Sequence, residues 1–158
     1  MIKLYNTLTG KKEEFVPVIP GTMKMYACGV TVYDYSHIGH ARGAVAFDVI
    51  QRYFRRKGFK VTYVRNFTDV DDKIINRAKE EGVPAAELAK KYIEAFQEDM
   101  QRLGVGHADV EPRATEHMKE MIEVIHRLMQ KGHAYVVDGD VYFRVKSFPD
   151  YGKLSKRN

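Results

Sequence analysis

The sequence contains a single cysteine among its 158 residues, and it lacks any long run of apolar side chains. One thiol excludes an intramolecular disulfide framework, so nothing points to an oxidising compartment. No charged segment followed by an apolar run opens the chain, and no apolar run approaches the roughly 18 residues that a membrane-spanning helix needs. Internal repeats and low-complexity segments are also missing. These absences predict a cytoplasmic protein without a membrane segment.

The composition is that of a globular protein. Hydrophobic residues make up 44% of the chain and charged residues 30%, which suffices for one ordinary domain core with a small appendage. The formal net charge of +5 favours an anionic partner. A basic balance by itself is weak evidence for nucleic acid, because many basic proteins bind none.

Residues 26–40 hold the single cysteine and two of the six histidines. The preceding run, 23–28, is apolar and aromatic and is stopped by Gly29, which is typical of a short buried strand. A helix is predicted next, with Ser36 as its N-cap. Helical spacing predicts the following buried face for this helix: Ala46, Val49, Ile50, Tyr53 and Phe54.

His37 and His40 stand where this strand leads into the helix. Such a turn presents free backbone amides and the positive end of the helix dipole, which suits a phosphate group. A spacing of three places both rings on one helix face, where they could bind one anion, ligate a metal ion or face solvent. Gly39 between them has no side chain, so a nucleotide base or ribose could approach the backbone. The spacing alone leaves these alternatives open.

The next segment predicts a parallel sheet. Residues 60–66 are rich in β-favouring side chains, and a strand, a helix and a second strand of this length form a parallel unit. Ligands of such sheets bind beyond the carboxyl ends of the strands. This rule predicts that Cys28, Gly29, Asn66 and Thr68 surround one crevice.

Later segments predict further helices and a change of architecture. Thr68 and Asp71 have the spacing of a helix cap and its partner carboxylate, and an Asp-Gly turn at 138–139 predicts a β-hairpin. Because the hairpin breaks the strand–helix rhythm, we predict a parallel-sheet part at 1–112 and the start of a second module at 113–158. A helical stripe before that boundary predicts packing into a core: Leu88, Tyr92, Phe96, Met100 and Leu103.

Four segments of the chain carry specific sequence motifs. Residues 37–40 read His-Ile-Gly-His at the start of a helix that follows a first strand, and residues 63–75 read Tyr-Val-Arg-Asn-Phe-Thr-Asp-Val-Asp-Asp-Lys-Ile-Ile. The first of these resembles the nucleotide-binding signature of class I aminoacyl-tRNA synthetases. With the longer text 26–42, the opening 4–11 and the closing 151–155, the chain resembles the cysteinyl-tRNA synthetase family over essentially its whole length.

The resemblance implies an α/β fold, namely the first half of a class I Rossmann-like catalytic domain followed by the start of a mixed α+β inserted module. It implies ATP-dependent activation of L-cysteine to cysteinyl-adenylate and transfer of the cysteinyl group to tRNA(Cys). The first step is an in-line displacement at the α-phosphorus, so catalysis consists mostly of positioning and neutralising charge. The implied residues for ATP, bound with Mg²⁺, are Thr31, Tyr33, His37, Gly39 and His40, with His37 and His40 as the catalytic pair.

The resemblance also implies how cysteine is selected. Cys28, Gly29 and Thr68 match cysteine-binding positions, and Cys28 matches the first ligand of a zinc ion. Zinc stabilises a thiolate far better than a hydroxyl, whereas an apolar pocket distinguishes cysteine from serine poorly. From residue type alone, a lone cysteine is more often a small buried hydrophobic residue.

The chain departs from the family in one respect. The family's other zinc ligands and its Lys-Met-Ser-Lys-Ser loop lie beyond Asn158, which falls inside the inserted module. Zinc needs three or four protein ligands, and this chain offers one matching position. We therefore expect the N-terminal part of a synthetase that is inactive and holds no zinc tightly on its own, and that belongs to a full-length monomer.

Two alternatives remain open at this stage. The first is a related ligase that joins cysteine to an amino sugar; it would share the zinc and adenylation sites and differ in its acceptor. The second is a non-catalytic fragment that binds nucleotide or tRNA. In that case Arg52, Arg55 and Arg56 would contact phosphates and binding would weaken with salt, although such a charged face is usually just solvated.

Overall fold

A computed structural model describes residues 1–156, which form two compact units. The larger unit is Pro17–His117, and the smaller comprises Met1–Val16 with the residues from Met118 onward. None of the described helices is long and apolar enough to cross a membrane. In chain order the elements are β1 (Lys3–Asn6), β2 (Lys11–Glu14), β3 (Thr22–Thr31), α1 (Ile38–Arg56), β4 (Lys60–Thr68), α2 (Asp72–Glu81), α3 (Ala85–Arg102), a 3₁₀ turn (Ala114–His117), α4 (Met118–Gln130), β5 (Ala134–Val137), β6 (Asp140–Phe143) and a second 3₁₀ turn (Val145–Ser147).

The larger unit is built on a parallel sheet, as predicted. β3 and β4 pair in parallel, with α1 as the crossover between them. Residues 110–113 continue the sheet on the other side of β4, where two isolated bridges pair them with this strand in parallel. Arg65 N donates to Val110 O at 3.1 Å and Phe67 N donates to Pro112 O at 2.9 Å. The order β3, β4, 110–113 is that of a partial Rossmann-like sheet.

The crossover helices cover one face of this sheet. Tyr63 and Phe67 share that face because side chains alternate along a strand. Phe47 of α1 stacks against Tyr63 with ring centroids 6.4 Å apart, and Phe96 of α3 meets Phe67 edge-on at 5.7 Å. The predicted stripe of α3 is confirmed for its first four residues, whereas the fifth, at position 103, is 53% exposed.

The buried face of α1 differs from the predicted one. Val49 and Tyr53 are 59% and 48% exposed, whereas Asp48 and Gln51 are buried. Gln51 Nε2 donates to Asp48 Oδ1 at 3.0 Å, and Arg52 Nε donates to Asp48 Oδ2 at 2.6 Å. Buried polar groups are tolerated when they are hydrogen-bonded. Of the predicted face Phe54 is buried, at 1% exposure, whereas apolar periodicity missed the buried Asp48 and Gln51.

Three predicted element boundaries are wrong by one to three residues. β3 runs past Gly29, its predicted end. The N-cap of α1 is His37 instead of Ser36, and the N-cap of α2 is Asp71, while Thr68 is the last residue of β4. Side-chain bonds set the two caps, from Gly39 N to His37 Nδ1 at 3.0 Å and from Lys73 N to Asp71 Oδ1 at 2.9 Å.

The smaller unit contains two antiparallel hairpins and α4. β1 pairs with β2, and β5 pairs with β6 with Val137 opposite Asp140. Asp138 and Gly139 both have positive φ, 50° and 93°, as a two-residue type I′ turn requires. The predicted hairpin is thus confirmed. The predicted division of the chain at residue 112 stays a prediction.

Candidate active site

A cleft of about 180 Å³ lies where the carboxyl-terminal half of β3 meets the first turns of α1. Four of the predicted site residues line it, namely Cys28, Gly29, Gly39 and His40. The remaining wall is largely apolar and aromatic: Ala27, Val30, Gly43, Ala44, Phe47, Tyr63, Arg65 and Phe96. The structure thus brings the thiol and one of the two histidines to the same place, at the sheet end where a parallel fold binds ligands.

His37 and His40 cap the first turn of α1 with their rings. Gly39 N donates to His37 Nδ1 at 3.0 Å, and His37 N donates to His40 Nδ1 at 3.3 Å. This is the reciprocal arrangement of a capping box, with imidazole nitrogens in place of the usual oxygens. Because both Nδ1 atoms accept, each neutral ring carries its proton on Nε2. The ring centroids lie 3.9 Å apart, so the two imidazoles form one cluster of donors.

The electrostatics of this cluster favour a neutral ring at His40. Burial, and then the charge of a protonated His37, lower the pKa of His40 below its ordinary value of 6.5. A neutral His40 keeps Nδ1 free to accept from the His37 backbone. At the N-terminus of a 19-residue helix, the dipole supplies positive potential without a formal charge. The pair therefore places two Nε2 atoms at the positive end of the helix dipole.

The two glycines of the site are required by close contacts inside the chain. A Cβ on Gly39 would lie 2.7 Å from the His37 ring. A Cβ on Gly29 would lie 1.4 Å from Asn66 O, which leaves no room for any side chain. At position 29 the obstacle is backbone, whereas at position 39 it is the imidazole ring of His37.

Cys28 is exposed at the cleft. Within residues 1–156, no group of three His, Cys, Asp or Glu side chains is placed to hold a metal ion. The chemistry of a lone thiolate suits zinc, but one ligand does not make a zinc site. The residues described here therefore do not fit a zinc ion by themselves.

The other predicted residues lie near the cleft but not in its wall. Thr31 pairs with Thr68 across the two strands, and Val32 N donates to Thr68 O at 3.2 Å. Tyr33 lies just beyond the end of β3, where Lys73 Nζ sits 5.4 Å from its ring centroid. The strand ends thus gather these residues on the same edge of the sheet as the cleft.

Sequence reasoning missed two buried groups of the cleft, Tyr63 and Arg65. Arg65 Nη2 donates to Glu111 Oε1 at 2.8 Å, and its guanidinium carbon lies 4.9 Å from the Phe96 ring centroid. Burial raises the pKa of Tyr63 above its ordinary value of 10.0, and the charge of Arg65 opposes this shift. Among the described residues, no hydrogen bond of standard geometry reaches the Tyr63 hydroxyl or Arg65 Nε and Nη1. A charged residue between two aromatic residues on a buried strand face was the available signal.

The exposed arginines of α1 are partly committed to contacts within the unit. Arg52 donates to Asp48 and also, through Nη2, to Gly104 O at 2.7 Å. Arg55 Nη2 donates to both carboxylate oxygens of Asp109 at 3.1 Å. These pairs neutralise much of the charge that a phosphate-binding face would need.

Comparison with known proteins agrees with the family resemblance of the sequence motifs. The family described as tRNA synthetases class I (C) catalytic domain matches residues 14–158. The Cysteine--tRNA ligase of Pelobacter propionicus is 61% identical over 157 residues, which is 99% of this chain and 32% of the relative. That of Aquifex aeolicus is 58% identical over the same shares of each chain. The chain spans about a third of the length of these relatives.

Solved structures share the fold. A methionyl-tRNA synthetase of Mycobacterium tuberculosis, in complex with methionyl-adenylate, matches with a TM-score of 0.65 and 22% identity, over 80% of this chain and 33% of that one. A LeuRS of Agrobacterium radiobacter K84, in a ternary complex with tRNA and LeuAMS, matches with a TM-score of 0.65 and 22% identity, over 77% and 16%. The chain belongs to the family of class I (C) tRNA synthetase catalytic domains.

Proposed function

We propose that this chain is the N-terminal third of a cysteine–tRNA ligase, a cytoplasmic enzyme that activates L-cysteine with ATP and transfers it to tRNA(Cys). The observation that carries the proposal is the identity of about 60% with proteins named Cysteine--tRNA ligase over nearly the whole chain. The position of Cys28 and His40 in one cleft supports it.

The proposed chemistry of the first step follows from the capping histidines. As pyrophosphate leaves the α-phosphorus, negative charge grows on its oxygens, and preorganised donors are most effective there. Nε2 of His37 and of His40 would supply those donors. No side chain of this chain needs to act as a nucleophile, because the cysteine carboxylate attacks. Thr31, Tyr33 and Gly39 would bind the rest of ATP.

Cysteine would bind at the ends of β3 and β4, next to Gly29 and Thr68. Cys28 would contribute one ligand to a zinc ion whose other ligands lie outside this chain, and the metal would favour a thiolate substrate over a hydroxyl. The chain's own share is to present that sulfur at an exposed position in the cleft.

The test joins this chain to the part of the Pelobacter propionicus relative that lies beyond the matched segment. Cysteine-dependent exchange of pyrophosphate into ATP measures the first step alone. We expect exchange by the chimera and none by the 158 residues. A folded chimera in which no amino acid supports pyrophosphate exchange would contradict the proposal. Pyrophosphate exchange by the isolated chain would contradict it as well.

Two variants separate catalysis from capping. His37→Asn keeps a strong N-cap residue, and His40→Gln keeps a residue that serves at the third position of a capping box. Each removes an imidazole donor, so we expect exchange to fall by about 10²–10³-fold in each variant. His126→Ala, on exposed α4, is the matched control and should retain parental exchange. Parental activity in both site variants would remove the histidines from the mechanism.

A further inference from the structure

The side chain of Asn66 joins three parts of the larger unit. Its Oδ1 accepts from the Tyr26 hydroxyl at 2.7 Å and from Gly29 N at 2.8 Å. Its Nδ2 donates to Thr68 Oγ1 at 3.3 Å. One amide on β4 thus contacts a side chain and a backbone amide of β3, and also the last residue of its own strand.

The chemistry of the contacts fixes the orientation of this amide. A backbone N–H can only donate, so the atom that faces Gly29 N has to be the oxygen. The amino group then faces Thr68, whose hydroxyl oxygen accepts from it. Because that hydroxyl already accepts at this side, its own proton is directed away from Asn66 and is available to another acceptor.

The contact with Gly29 falls where the strand ladder is irregular. The regular pairing of β3 with β4 is interrupted between Ala27 and Val30. In this gap Asn66 Oδ1 takes the place of a ladder carbonyl for Gly29 N. An interruption of this kind re-aims the residues of the strand next to it, and these are Cys28 and Gly29.

We propose that Asn66 is a positioning residue of the amino acid site. It holds the backbone at Gly29 in the interrupted part of β3, and it orients the hydroxyl of Thr68. Its effect on the substrate rests on the proposed function, in which Gly29 and Thr68 contact cysteine. Its effect on the backbone does not depend on that function.

The backbone part is tested on the 158-residue chain by amide hydrogen exchange. Asn66→Ala removes all three contacts and should raise the exchange rate of the Gly29 amide by roughly tenfold, the loss expected for one hydrogen bond. Asn66→Asp keeps an acceptor for Tyr26 and Gly29 and should leave that rate unchanged. Thr62→Val, on the same face of β4, is the control. An unchanged Gly29 rate in Asn66→Ala, or a rise spread equally along β3, would overturn the proposal.

The substrate part is tested in the chimera. A carboxylate cannot donate to Thr68, so the Thr68 hydroxyl turns and donates inward in Asn66→Asp. We therefore expect KM for cysteine to rise by about tenfold in both Asn66 variants, with KM for ATP and kcat near parental values. If the KM for cysteine is unchanged while the Gly29 amide shows the expected hydrogen exchange, the substrate role is overturned. A parent chimera that does not activate cysteine would refute the proposed function. The hydrogen-exchange result on Gly29 would remain valid in that case.

Discussion

Gly29→Ala should destabilise the larger unit strongly, because no space exists for a methyl group at this position. The new Cβ would lie 1.4 Å from Asn66 O and 2.5 Å from Asn66 C, both backbone atoms. The strands would have to separate by about 1.6 Å to reach 3.0 Å, below which Cβ contacts are essentially never seen. Such a separation breaks the 2.8 Å bond from Gly29 N to Asn66 Oδ1. Overpacking with the loss of this bond should lower the free energy of unfolding by about 2–4 kcal/mol.

The control for this substitution is Gly43→Ala, in the same cleft. A Cβ on Gly43 meets nothing within 4 Å, and the residue lies inside α1. Alanine there should raise the free energy of unfolding by about 0.5–1 kcal/mol. Urea unfolding followed by circular dichroism measures both variants. If Gly29→Ala proves as stable as the parent, the close approach of the two strands at Asn66 is wrong.

Three further predictions concern His40, Arg65 and Cys28 of the larger unit. The pKa of His40 is lowered in the folded chain, so the unfolded chain binds the proton more tightly. The stabilising contribution of His40 is therefore present above pH 6.5 and lost as the pH falls below it. The urea midpoint should drop less between pH 8 and pH 5.5 in His40→Gln than in the parent, and equal drops would contradict this. Arg65→Met leaves the partly buried Glu111 without its arginine partner and should cost about 1.5–3 kcal/mol, whereas combining it with Glu111→Leu should recover part of the loss; additive losses in urea unfolding would exclude the coupling. The isolated chain should bind zinc no more tightly than its Cys28→Ser variant in competition with a chelating dye, and tight binding that depends on Cys28 would show that further ligands lie within the chain.

The fold could be predicted wherever local preference and tertiary packing agree. The stripe of α3 has one strongly apolar side, so its helical period identified Leu88 and Phe96 as core residues. The Asp-Gly turn has one favourable backbone solution, so the hairpin at 138–139 followed directly. In α1 the two criteria disagree. Its buried side carries Asp48, whose acceptors are satisfied by groups that include Gly106 N at 3.3 Å, a contact 58 residues away that no local pattern contains.

The candidate site shows the same division. Sequence motifs and predicted topology indicated Cys28 and His40 as site residues, because both lie at the junction of the predicted strand and helix. They did not indicate Arg65, because its role depends on Glu111, a partner 46 residues further along the chain. They also did not indicate the close contact at position 29. A Cβ there would lie 1.4 Å from the backbone oxygen of Asn66, on the neighbouring strand.

The capping geometry explains why imidazoles suit this helix start better than stronger cations. Lysine and arginine attract phosphate more strongly, but they have no acceptor and could not receive the amides of Gly39 and His37. Asparagine and glutamine can cap and donate, but they cannot take up a proton. An imidazole accepts at Nδ1, donates at Nε2 and can be protonated. Protonation at Nδ1 would release a cap, and the lowered pKa of His40 favours the neutral ring that holds it.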